Sequence, residues 1–252
     1  IKNMFSLFIK QIDKHLSIRG VIVVFLLFLS CKKKDMALNE NSMSFSKFLK
    51  EVKVSMEDVY EYKKGVPSKI YIVDTTLVIF NGVKEQGYFF YNYSLKTNAL
   101  HEGYLSKGRG PNEVFGGVSS GIIGNTLWVH DFMSKKIVTI DNSTSTKKSA
   151  LSFHNYPVSK FYYSIDFKDS INFLGVGAHH STFKIQEVDL LSGKEVNEFG
   201  VFKKTPKEIP YGAYKSAHDC FIYIKPSRDR VALAYRFTDV VEIYDLETEK
   251  SK

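Results

Sequence analysis

One turn recurs along this chain at a spacing that leaves few folds open. It occurs as Ser94-Leu95-Lys96-Thr97, Asp141-Asn142-Ser143-Thr144, Asp189-Leu190-Leu191-Ser192 and Asp245-Leu246-Glu247-Thr248, so its first residues lie 47, 48 and 56 positions apart. A carboxylate or hydroxyl at the first position accepts backbone N–H groups just ahead of it and closes a hairpin. A period of roughly 40 to 50 residues is that of one four-stranded propeller blade. A lone four-stranded sheet has two faces to bury, and stacking blades around an axis buries both. The spacing predicts an all-β chain, a β-propeller of four-stranded blades, and assigns the repeated aspartates to turn chemistry.

The runs between these turns agree. Lys69–Val73, Leu77–Phe80, Tyr88–Tyr91, Leu127–His130, Ile137–Ile140, Ile171–Leu174, Phe183–Val188, Val231–Tyr235 and Val240–Tyr244 are short and rich in β-branched and aromatic residues, which makes them strands. With 44% apolar residues, 20 Phe and 15 Tyr, the chain has ample material for a core. Only Phe45, Phe48, Leu49 and Val52 keep helical spacing, which predicts one short helix near the start.

The N-terminal stretch has a different character. Lys10, Lys14 and Arg19 precede an apolar run from Val21 to Leu29, which Ser30 and Cys31 close. A membrane-spanning helix needs about 20 apolar residues, whereas this run fits an export signal. Residues 1–30 are read as a signal peptide, 31–44 as a tether lipidated at Cys31, and 45–252 as the propeller domain. Of the net charge of +8, residues 1–30 carry +3 and Lys32 to Lys34 another +3, leaving +2 for the rest. Basicity is therefore mostly beside the membrane, where each lysine adds on the order of 1 kcal/mol of attraction to anionic lipid. No nucleic-acid partner is expected. With Cys31 lipidated, Cys220 is alone, so no internal disulfide forms and the core must hold the fold.

Motifs that carry chemistry are sparse. Gly117-Val118-Ser119-Ser120-Gly121 has the spacing of a nucleophile elbow, but the residues after it continue as strand where an elbow needs a helix. Lys107 to Gly110 is glycine-rich, yet Pro111 removes a donor and no helix follows, so a tight connection between blades is expected, with Arg109 left to reach a ligand or to pair with Glu113. Neighbouring residues on a strand face opposite ways, so His179-His180 cannot share an ion there, and the same geometry defeats a nucleophile at His218-Asp219-Cys220.

After the first blade, Gly108-Arg109-Gly110-Pro111-Asn112-Glu113 resembles the Gly-Arg-Gly-Pro-x-Glu segment of the TolB-like six-bladed β-propeller lipoproteins of gut Bacteroidetes. Ala232–Tyr235 followed by Val241–Asp245 is similar to that family's later blades, and the resemblance runs from about Val52 to the C-terminus. It implies a fold and an envelope location but no active site. Six blades at this period would need on the order of 100 more residues, so a truncated chain holding about four blades of six is expected. In such lipoproteins acidic residues after the cysteine accompany surface display, and Lys32 to Lys34 point instead to the periplasmic face of the outer membrane. The function expected is a non-catalytic envelope module that binds a protein, peptide or glycan, with Arg109, Glu113, Trp128 and Asp131 as the ligand-binding set. No catalytic residue, metal site or cofactor is assigned. The alternative is an envelope hydrolase or lyase, with or without the help of a metal ion, whose carboxylates or histidines converge at the channel.

Overall fold

The structure is a computed structural model that describes residues 61–81, 87–141, 143–145, 150–178, 180–202 and 209–251, together with Lys53 and Lys147. The chain divides into units Ile1–Val54 and Ser55–Lys252. The signal segment, Cys31, the tether and the helix expected near Phe45–Val52 lie outside the described residues, as does His179.

The described residues of the second unit form four sheets in chain order, each a propeller blade and antiparallel apart from one short pair in the first. The first holds β1 (Pro67–Val73), β2 (Thr76–Asn81) and β3 (Tyr88–Ser94), with its outer strand split into β4 (Ala99–Leu100) and β5 (Tyr104–Lys107), and β6 (Glu113–Val114) added in parallel to β5. The second runs β7 (Gly117–Ile123), β8 (Thr126–Asp131), β9 (Lys136–Asp141) and β10 (Ser152–Pro157). The third runs β11 (Ser164–Phe167), β12 (Asn172–Val176), β13 (Phe183–Asp189) and β14 (Glu195–Val201). A short helix that the sequence pattern does not signal, α1 (Tyr211–Ala217), leads into the fourth blade. That blade holds β15 (Cys220–Ile224), β16 (Arg230–Tyr235) and β17 (Val241–Asp245), with Ser251 bridged to Tyr244.

In the second and third blades the two middle strands carry buried apolar residues toward both neighbouring blades. On β8, Leu127 and Val129 face back and join Val78, Phe80 and Phe90 of the first blade. Trp128, between them in sequence, faces forward and packs on Phe167 and Phe173 of the third. Likewise Phe173 points back, while Leu174 and Val176 join Ile222, Val231 and Leu233 of the fourth. Period-2 alternation in these strands therefore distributes side chains between two cores rather than between core and water. Gly121 on β7 is the clearance that the second seam requires, since a Cβ there would fall 2.6 Å from the Trp128 ring.

The repeated turns lie where the spacing puts them, between the third and outer strands. Ser192 N–H donates to Asp189 Oδ1 at 2.7 Å, Glu247 and Thr248 N–H donate to Asp245 Oδ1 at 3.2 and 3.0 Å, and Thr97 N–H donates to Ser94 Oγ at 3.2 Å. Asp141 departs from the pattern. Its carboxylate accepts the Thr126 hydroxyl at 2.7 Å and meets His154 Nε2 at 3.2 Å, so in the second blade it ties strands together across the sheet.

Candidate functional site

The first strand of each blade is the innermost, and here the apolar alternation gives way to polar groups. Tyr71 on β1 and Ser120 on β7 share a hydrogen bond of 2.7 Å, and Lys69 Nζ donates to Ser120 O at 3.0 Å, so the first two blades are joined by polar contacts at their inner edge. Ser119 Oγ lies 3.3 Å from Ser164 Oγ on β11 and accepts the Ile165 N–H. Asp166 accepts the N–H of Phe167 at 2.9 Å and that of Ile224 on β15 at 2.8 Å, which ties the third blade to the fourth. Ser119, Ser120 and Ser164 are buried, whereas Lys69, Tyr71 and Asp166 are half-buried.

Charge along this wall is held out of balance by desolvation. Burial lowers the Lys69 ammonium below its usual range, with the Asp166 charge working against that fall. Burial pushes the Asp166 carboxyl up, opposed by the N–H donors of Ile224 and Phe167 and by Lys69 and Arg228. Burial also raises the Tyr71 hydroxyl, which stays protonated. A lysine and a tyrosine from β1 and an aspartate from β11 thus share one inner wall with perturbed proton affinities, the physical signature of a site candidate.

Of the four residues picked out from the sequence, Arg109, Glu113 and Asp131 lie around the junction of the first and second blades, and Trp128 faces the third blade. Asp131 ends β8 fully buried, and its carboxylate accepts backbone N–H groups of Phe115 at 2.7 Å, Gly116 at 3.0 Å and Ser134 at 3.1 Å. Trp128 is 2% exposed within the second seam, with no acceptor for its Nε1 among the described residues. Glu113 on β6 accepts the Gly110 N–H at 2.9 Å, and its carboxylate fills the space beside Gly108, where a Cβ would fall 2.0 Å from Oε2. Arg109 does not pair with Glu113. It is exposed and stacks over the Phe115 ring at 4.8 Å. The structure brings Arg109 and Glu113 into one loop, leaving only the arginine open to solvent, and places Trp128 and Asp131 in packing and backbone-holding positions.

A model of the TolB-like 6-blade propeller-like family matches residues 44–252. The chain belongs to that family. Four blades of the family's six fall within it. No curated protein matches. Among solved structures, hydrazine synthase of Kuenenia stuttgartiensis is similar at a TM-score of 0.46 and 12% identity over 76% of this chain and 49% of its own. AztD of Citrobacter koseri in its apo form is similar at a TM-score of 0.42 and 12% identity over 73% of this chain and 45% of its own. The chain thus spans about half the length of the first and less than half of the second.

Two further clusters frame the propeller's later blades. Glu195 gathers Lys160, the Tyr162 hydroxyl at 2.8 Å and His180 Nε2 at 2.8 Å, so His180 has a carboxylate partner that its sequence neighbours do not reveal. At the third seam, Lys184 pairs with Glu242 at 2.7 Å beneath Phe202 and Tyr235, beside a cavity of about 10 Å³ that Lys215, His218 and Cys220 also line. That is the room of about one water molecule. Burial alone would raise the Glu242 carboxyl, but the Lys184 ammonium and the Tyr235 and Tyr244 hydroxyls hold it below the usual range. Among the described residues no group of three His, Cys, Asp or Glu side chains is arranged to hold a metal ion.

Sequence reasoning missed Lys69, Tyr71, Ser120, Ser164 and Asp166 as a set. The available signal was position: each belongs to the first strand of a blade, the strand where polar residues interrupt an otherwise apolar repeat. Ser119 and Ser120, which match a nucleophile elbow by spacing, instead lie within β7 and bond the strands on either side.

Proposed function

We propose that this chain is a non-catalytic binding module, tethered to the cell envelope through a lipid at Cys31, whose inner-strand wall and Arg109 loop receive a protein, peptide or glycan. The observation that carries the reading is the gathering of Lys69, Tyr71, Ser120 and Asp166 from three successive inner strands. Such groups serve recognition best when a rigid scaffold holds them, and each is fixed here by a neighbouring blade. Arg109, whose guanidinium remains open above Phe115, extends the contact surface at the first junction.

An array of envelope glycans and peptides, probed with labelled protein, tests the binding. The wild type is expected to retain ligand that Lys69→Gln and Arg109→Ala variants release, with unfolding temperatures unchanged. Turnover of a retained ligand would overturn the non-catalytic reading. For the tether, Cys31→Ser is expected to move the protein from the membrane to the soluble fraction of its host, and no change in fractionation would remove the lipid from the account.

A further inference from the structure

Among the described residues, the inner wall has more to donate than its neighbours accept. Lys69 gives one N–H to Ser120 O at 3.0 Å, and the charge that acts on it is Asp166, which is not within ion-pair distance. Among the described residues no acceptor meets the other two ammonium donors, at a half-buried position. Tyr71 and Ser120 hold two hydroxyl protons and use one in the bond between them, so one remains to donate. Asp166 has given a lone pair on each oxygen to a backbone N–H and keeps one on each. Lys69 and Arg228 both act on its charge, so two cations stand against this one carboxylate.

We infer that this wall binds an acidic saccharide, with the carboxylate of a uronic acid on Lys69 and the neighbouring ring hydroxyls on the Tyr71–Ser120 pair and Asp166. The inference rests on the reading of the chain as a binding module and names its ligand class. A single uronate ring carries a carboxylate and adjacent hydroxyls that both donate and accept, which matches one cation, one hydroxyl pair and one carboxylate acceptor. An acidic peptide supplies the carboxylate and can meet the hydroxyl pair through its backbone, but each further acidic side chain would be repelled by Asp166. A neutral saccharide satisfies the hydroxyls and leaves Lys69 unanswered.

Titration calorimetry of the full chain separates these cases with three probes: an oligogalacturonate, the same oligosaccharide fully methyl-esterified, and an oligoglutamate. The acid is expected to bind at least about tenfold more tightly than the ester, the difference that one charge-assisted hydrogen bond supplies. Lys69→Gln should abolish that difference and Lys69→Arg should restore most of it. Raising the salt concentration should weaken the wild type's hold on the acid more than on the ester, a readout that needs no variant. Ester bound as tightly as acid would overturn the inference while leaving the module reading in place. Oligoglutamate bound as tightly as oligogalacturonate would overturn the saccharide class, and binding of none of the three would overturn the inference altogether, the array then judging the module reading on its own.

Discussion

His130 is the residue whose burial has the most direct cost. It lies 1% exposed on β8, its Nδ1 has no partner among the described residues, and burial lowers its pKa to about 4 from an ordinary 6.5, with the Asp131 charge opposing. The folded protein therefore keeps the ring neutral where the unfolded chain would protonate it. Stability from this residue is present in full above pH 6.5 and is lost as the pH falls toward 4, by about 3 kcal/mol at most. Urea midpoints at pH 7 and pH 4.5 should fall further apart in the wild type than in His130→Leu, and equal gaps would remove the residue from the acid response. Cys220 is buried in the third seam, where burial pushes its thiol up to about 12. It should resist iodoacetamide at pH 8 until urea unfolds the chain, as read by mass spectrometry of its peptide.

At the scale of elements, the loop from Gly108 to Glu113 separates two roles that the sequence leaves together. Glu113 staples the loop through the Gly110 N–H and the space over Gly108, and Lys136 Nζ holds Gly110 O at 2.9 Å from β9. Glu113→Ala is expected to lower stability by about 1–2 kcal/mol, whereas Arg109→Ala, removing an exposed side chain, should leave the urea midpoint unchanged. Equal losses would make Arg109 structural as well. The same division explains which strands could be read in advance. β2, β3, β8, β9, β12, β13, β16 and β17 are the middle strands of their blades and supply most of the residues of the apolar seams, so their runs stand out. β7, β10, β11 and β14 are inner or outer strands whose residues face the axis, water or a polar partner, as in Ser152–Pro157, so they carry little hydrophobic signal. The candidate site lies on the inner strands: β1 was legible as Lys69–Val73, but β7 and β11, which bring Ser120 and Asp166 to it, were hidden for this reason.

Across the whole molecule the blades are linked by three apolar seams and a polar wall, and stability should pass between them. The sole tryptophan, Trp128, reports on the second seam, while the Lys184–Glu242 pair lies at the third, 10% and 17% exposed. Glu242→Gln leaves a buried ammonium short of its counter-charge, a cost of about 3 kcal/mol. Trp128 fluorescence and far-ultraviolet circular dichroism should register the same lowered midpoint, the mark of blades that unfold as one unit. Separate midpoints would show seams that open one at a time, as stacked repeats do when their coupling is weak. The sequence alone determined the blade period, the turn that ends each third strand and the apolar middle strands, because all three are local patterns of spacing and residue type. Which residues meet at the inner wall was decided only by tertiary structure. Lys69, Ser120 and Asp166 are separated in sequence by a blade each, and nothing local relates them until the sheets stack around a common axis.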